Sequence, residues 1–303
     1  LLKLFRLGHR TALLAALFAS AVAAGGAWYV AATWIPVDRP VAINNQQGET
    51  FWEILGRQGK RVKVVRVPVT FPPEPFDHGE LLSGLGTPDL SFRIGKPFYF
   101  TSELFFEPLG GGDFSIEVVE LIDNQGQIPT EIKGPPNKLF PEQGGYVTIP
   151  MTLTVPEDRG SLAIEVSGQS LTLKPGEWSD WVRFGFPFNP LVELHGIGRF
   201  RLLSVEPEVR LYLSPIQFDP ENLPPILDIT SPGDWIDELA DRHGRFKTMG
   251  WAIDTWSITE GTIDEEVFFE DVEATVAKST EMLLASLDEA DDWDVLVHYF
   301  EFT

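Results

Sequence analysis

Hydrophobic and polar positions change their period several times along this chain. Residues 11–37 carry no charge, and the run LLAALFASAVAAGGAWYVAATWI is long enough as a helix to cross a hydrocarbon core of about 30 Å. From residue 48 the segment GETFWEILGRQG sets Phe51, Trp52, Ile54 and Leu55 on one helical face, with Gly59 as a stop. The β-branched run KRVKVVRV follows, so the two read as one αβ unit of a layered sheet. The next stretch, VPVTFPPEPFDHGELLSGLGTPDL, is dense in Pro and Gly and reads as a long loop. Its apolar residues Phe71, Phe76, Leu81, Leu82 and Leu85 argue that the loop is ordered.

Between residues 98 and 213 the pattern becomes short alternating runs: FSIEVVELI, YVTIPMTLTV, SLAIEVSG, SDWVRFGF and GRFRLLSVEPEVRLYLS. Turns are expected at Gly110 to Gly112, at Pro135 with Pro136, at Gly144 with Gly145 and at Pro175 with Gly176. No helical period crosses this region, and it reads as a β-sandwich inserted into an α/β domain. Helices return in SPGDWIDELADRHG, where Ser231 is the expected N-cap and Pro232 the first helical residue. Residues 264–290 carry a stripe of Val267, Phe268, Val272, Val276, Met282 and Leu283, the mark of a long amphipathic helix. Asp264, Glu265 and Glu266 suit its N-terminus. DWDVLVHYFEFT then reads as a strand buried in a parallel sheet. The fold class is therefore α/β, a layered sheet with an inserted β-sandwich and an N-terminal apolar helix. The boundaries fall at 1–47 (apolar segment and linker), 48–97 (first α/β part), 98–215 (insertion) and 216–303 (second α/β part).

Composition narrows the function. The formal charge of −22 and a pI near 4.5 oppose nucleic-acid binding, because a phosphate backbone would be repelled. The absence of cysteine excludes disulfides, thiolate metal sites and cysteine nucleophiles. Lys3, Arg6 and Arg10 precede the apolar run, so the positive-inside tendency puts everything after Asp38 outside the cytoplasm. Trp28, Tyr29 and Trp34 suit the far interface of a membrane anchor. A secretory signal peptide, with small residues Ala19, Ser20, Ala21 and Ala23 near a cleavage point, and a buried core helix are the alternatives.

Candidate chemistry is sparse. Asp77, His78 and Glu80 are metal-capable and close in sequence, but a solvated loop explains them as well. Glu289, Asp291, Asp292 and Asp294 lack the glycine-spaced pattern of a calcium loop. His195, His243 and His298 stand alone, outside any catalytic spacing. SGLGTP at 83–88 has no phosphate-loop lysine and reads as a turn. The tryptophans of GEWSDW could stack on sugars, although alternation assigns them to the sandwich core. Asp254 and Thr255 in GWAIDTWS sit in a polar break between helices, where they are candidates to line a substrate pocket or to cap a turn.

Several segments together resemble one family. TFWEILGRQGKRVKVVRVPVTFPPEPFDHGELLSGLGTPDL, GPPN, LKPGEWSDWVRF, LYLSPIQFDPEN, GWAIDTWSITEGTIDEEVFF and DDWDVLVHYFEFT, in that order from residue 48 to 303, resemble type I phosphodiesterase/nucleotide pyrophosphatase proteins of the alkaline phosphatase superfamily. The resemblance implies an alkaline-phosphatase-like layered sheet and a phosphoester substrate. It also implies a Thr or Ser nucleophile and two divalent metal ions, usually zinc, that polarise the phosphoryl oxygens and stabilise the leaving oxygen. In that family a strand like DVLVHYFEFT leads into an Asp-x-x-x-His metal-binding turn. The first residue is Leu, and the last strand ends where such a turn would begin, so the reading expects a fragment with no complete catalytic site and no assignable catalytic or metal residue.

The leading expectation is the central part of a membrane-associated, metal-dependent phosphodiesterase whose β insertion shapes the substrate entrance. The alternative is a non-catalytic extracytoplasmic binding protein recognising a glycan or a protein through the sandwich. On the leading expectation, reading the coding sequence about ten codons past Thr303 gives Asp followed four residues later by His. Absence of that pair would put the binding reading ahead.

Overall fold

The structure, a computed structural model, describes residues 9–35, 41–111, 115–124, 126–140, 144–225, 227–289 and 293–301. In chain order the first elements are helices α1 (His9–Trp34) and α2 (Phe51–Arg57) and strands β1 (Val62–Val65), β2 (Gly79–Leu82), β3 (Phe98–Thr101) and β4 (Glu117–Glu120). Then come β5 (Gln127–Pro136), β6 (Tyr146–Thr154), β7 (Leu162–Val166), β8 (Gln169–Leu173), β9 (Val182–Asn189) and β10 (Val192–Gly198). Strands β11 (Phe200–Ser204), β12 (Arg210–Leu213), β13 (Gln217–Phe218) and β14 (Thr230–Ser231) lead into α3 (Trp235–His243), α4 (Thr255–Thr259), α5 (Glu265–Asp288) and β15 (Val295–His298).

Among the described residues the fold is mixed α/β with four sheets and one apolar N-terminal helix. Leu13–Trp34 within α1 has a mean hydropathy of 1.7 and none of it is buried, so it is long and apolar enough to span a membrane or to serve as a signal sequence. Of the basic residues before it, Lys3 and Arg6 lie outside the described residues.

The α/β sheet has the order β14-β2-β1-β15, with β2 and β15 both parallel to β1 and β14 antiparallel at one edge. Strand β1 is buried along its whole length, as a central parallel strand must be. Helix α2 covers one face, packing Trp52 and Leu55 against Val62, Val64 and Leu81. A capping box starts it: Thr50 Oγ1 accepts from Glu53 N, and Glu53 Oε2 accepts from Thr50 N at 2.6 Å. Val65, Leu82 and Leu296 on this sheet join Trp235, Ile236 and Leu239 of α3 and Met282 of α5.

Three further sheets make up the region between β3 and β13. These are the meander β5-β6-β7-β8, the sheet β13-β10-β9 and the sheet β11-β12-β3-β4, in which only β3 and β4 are parallel. Alternation explains their burial: in β9, Val182, Phe184, Phe186 and Phe188 are buried and the residues between them are not. The ring of Phe186 lies directly over Gly134 of β5, where a Cβ would collide with it, so the two sheets approach closely at a glycine. Phe184 and Phe200 meet edge to face at 6.0 Å, and both are fully buried. Each such side chain contributes roughly 1.5–3 kcal/mol.

Three local expectations are corrected. Residues 79–82 are strand β2 and not loop, because Leu81 and Leu82 fill the two faces of the parallel sheet beside β1. Ser231 does not cap α3; it pairs with Leu81 in β14, and Asp234 takes the cap position. Pro135 and Pro136 end strand β5 instead of making a turn, at a register shift where their missing N–H groups break no regular pairing.

The β region is joined to α5 through one carboxylate. Glu270 accepts Trp178 Nε1 at 2.8 Å and Arg201 Nε at 3.0 Å, and Arg201 Nη2 lies 2.9 Å from it. The side chain of Arg201 is only 7% exposed. Glu270→Ala is expected to strand that guanidinium and to cost ~2 kcal/mol, less than a fully buried pair because Glu270 is half-exposed. Thermal unfolding followed by circular dichroism should show a lower midpoint. Asp264→Ala, which removes the side-chain acceptor of Val267 N at the start of α5, should cost about 1 kcal/mol in the same assay.

Candidate functional site

A cavity of about 220 Å³ opens at the carboxyl ends of β1 and β15, where ligands gather in open α/β sheets. Arg66 follows β1 directly, and His298, Tyr299 and Glu301 come from the end of β15. Lys247 and Ala252 come from the loop after α3, Asp271, Lys278 and Ser279 from α5, and Trp181 and Arg199 from the β region. Arg245 completes a set of five cations set against two carboxylates, in a chain whose formal charge is −22.

Arg66 is the buried centre of this wall. Its Nη2 lies 2.5 Å from Glu301 Oε1 and 3.0 Å from Met249 O, and its Nη1 donates to Lys247 O at 2.8 Å. The second oxygen of Glu301 accepts Ala252 N at 2.9 Å. Lys247 Nζ reaches Asp271 at 2.6 Å and Ala252 O at 2.7 Å. Lys278 pairs with Glu281 at 2.7 Å, and Arg245 with Glu221 at 2.9 Å. The loop at 83–88, expected as a turn, packs its backbone into the same region. A Cβ on Gly84 would strike Arg66 O, and one on Gly250 would strike Gly84 O.

His298 lies half-buried on the cavity wall with Nε2 2.9 Å from Ser279 Oγ and the ring 4.8 Å from that of Phe300. Its Nδ1 is buried without a hydrogen-bond partner among the described residues. Burial first, and the Arg66 cation second, lower its pKa to about 4.

The other candidate residues are placed as follows. Asp254 is buried as the N-cap of α4: Oδ1 accepts Trp256 N and Ser257 N, and Oδ2 accepts Ser257 Oγ at 2.6 Å and Tyr212 Oη at 2.7 Å. Burial raises its pKa, with the bonds from Ser257 and Tyr212 acting in the opposite sense. Thr255 opens α4 beside it, and neither residue lines the cavity. Glu80 pairs with Lys63 at 3.2 Å, and Asp77 and His78 are exposed. Glu289 also binds Lys63, at 2.9 Å, whereas Asp294 Oδ2 accepts Arg61 N; Asp291 and Asp292 lie outside the described residues. His243 Nδ1 contacts Glu281 at 3.0 Å, and His195 lies 3.8 Å from Glu193. Among the described residues no three His, Asp or Glu side chains converge so as to hold a metal ion. Trp178 and Trp181 correct the expectation of a sandwich core: both are half-buried at the seam with α5, because Trp178 needs the Glu270 acceptor and Trp181 forms cavity wall.

No protein-family model, curated protein or solved structure matches the chain. The site residues that sequence reasoning missed are Arg66, Arg199 and Lys247. Arg66 directly follows the strand Val62–Val65, which itself carries Lys63, and Arg199 and Arg201 flank the core residue Phe200 at the start of β11; in both places a strand end fixes the neighbouring cation.

A pH dependence follows from His298. Its folded pKa of about 4 lies below the ordinary 6.5, so the unfolded chain binds the proton more readily between those values. Stability from this group is complete above pH 6.5, falls as pH drops towards 4, and changes no further below. Denaturant unfolding of His298→Gln against the parent at pH 7, 5.5 and 4 should show a difference that shrinks on acidification. A constant difference would contradict the assignment.

Proposed function

We propose that this chain belongs to a metal-dependent phosphodiesterase or nucleotide-pyrophosphatase-like phosphohydrolase with an alkaline-phosphatase-like layered sheet. It would be membrane-anchored through α1 with its remainder extracytoplasmic. The observation that carries this reading is the cation-lined cavity at the carboxyl ends of the parallel strands β1 and β15, within a strongly acidic chain. A lining rich in guanidinium and ammonium donors, with Arg199 not paired to a carboxylate among the described residues, serves an anionic substrate, and the family resemblance names that anion as a phosphoester.

In this reading Arg66 and Lys247, each balanced by its carboxylate partner Glu301 or Asp271, hold the cavity wall in place. The β region contributes Trp181 and Arg199 and so shapes the entrance. The two divalent cations, zinc by resemblance, would supply Lewis-acid activation of the phosphoryl group. The described residues do not form a ligand set for them, so no reaction step is assigned to a metal on this chain.

A second reading, a non-catalytic extracytoplasmic protein binding a glycan or a protein partner, draws on the half-exposed Trp178 and Trp181 beside β8. The full-length protein in detergent with zinc is expected to hydrolyse bis(p-nitrophenyl) phosphate, and EDTA should abolish turnover. The 303-residue chain alone is expected to give none. No hydrolysis by the full-length protein, together with specific binding on a glycan array, would favour the second reading.

A further inference from the structure

Four of the five cations lining the cavity have carboxylate partners, and Arg199 is the exception. Among the described residues no carboxylate lies within ion-pairing distance of it; its Nε donates to Ser179 O at 3.1 Å. The guanidinium lies 5.0 Å from the centre of the Trp178 ring and 6.0 Å from that of Trp181. We propose that Arg199, set against these two indole rings, anchors a binding site for a small organic anion whose apolar body fills the cavity beside Phe246, Ala274 and Met282.

The geometry favours this occupant for three reasons. First, Nε is committed to Ser179 O, which leaves the two terminal nitrogens as a planar fork for two oxygens of one oxyanion. Second, burial lowers the pKa of Arg199, opposed by the more distant Asp271 and Asp180, so the cation is partly stripped of water without a bonded counter-charge. An incoming anion supplies that charge. Third, the space suits a ring and not a bare ion: an apolar cavity of about 150 Å³ takes up benzene, and this one measures about 220 Å³ with Met282, Phe246 and Trp181 on its walls.

A phosphate ester and a carboxylic acid share the required chemistry, two oxygens presented in one plane. The inference rests on the phosphohydrolase reading only for which of these it is; the site itself does not depend on turnover.

Isothermal titration of the 303-residue chain in detergent with phenyl phosphate, benzoate and inorganic phosphate tests it. Phenyl phosphate is expected to bind, and Arg199→Ala should weaken it by about 10–100-fold, the range for a charge-assisted hydrogen-bonded contact. Arg199→Lys should recover only part of the loss, since an ammonium cannot reproduce the fork. Ala274→Trp, at an exposed position on the cavity rim, should block binding while circular dichroism stays unchanged. Binding of benzoate in place of phenyl phosphate keeps the site and counts against the phosphohydrolase reading. The site is refuted if neither organic anion binds, if Arg199→Ala and Ala274→Trp bind as tightly as the parent, or if inorganic phosphate binds as tightly as phenyl phosphate.

Discussion

The pair formed by Arg66 and Glu301 ties two strand ends to the loop that crosses them. Arg66 follows β1 and Glu301 follows β15, so their ion pair joins neighbouring parallel strands just past their last paired residues. Arg66 also donates to Lys247 O and Met249 O, and Glu301 accepts Ala252 N, which draws the whole 247–252 loop across the sheet end. Lys247, held by that loop, then reaches Asp271 on α5. A buried pair of this kind is costly to desolvate and gains its value from being fully bonded. Removing either partner would release strand end, loop and helix at once.

A second carboxylate, Glu270, does for the β region what Glu301 does for the sheet. By holding Trp178 and Arg201 it fixes the segment that carries Trp181 and the strand β11, which Arg199 directly precedes. The cavity is thus assembled from parts far apart in sequence, and its walls stay in register because each is bonded to α5. Helix α5 is the common support: it lends Asp271 to the loop, Glu270 to the β region, Ser279 to His298 and Met282 to the core.

Long periodic segments were legible in the sequence for a simple reason. YVTIPMTLTV alternates, and β6 buries Ile149, Met151 and Leu153 as alternation requires; the stripe from Val267 to Met282 became α5, with Asp264 as its cap. Strand β2 was not legible, because a short GELL among prolines and glycines becomes a strand only through β1 at its side. Ser231 followed by Pro carries a good helix-start signal, yet pairing with Leu81 took precedence. The cavity escaped for the same reason: Arg66, Lys247, Asp271 and Arg199 each read as an ordinary charged residue, and only tertiary contact gathers them. Asp254, by contrast, was visible as a polar break, and its carboxylate closes α4 against Tyr212.

The pairing of cations with carboxylates along the cavity wall has a consequence for its response to salt. Arg66, Lys247, Lys278 and Arg245 each face a carboxylate, so most of the charge on the wall is balanced within it. The pairs Arg66–Glu301 and Lys247–Asp271 lie deep, whereas Lys278–Glu281 and Arg245–Glu221 reach solvent. Buried pairs are screened much less than exposed ones. Rising ionic strength would therefore loosen the outer rim of the wall while its inner frame holds.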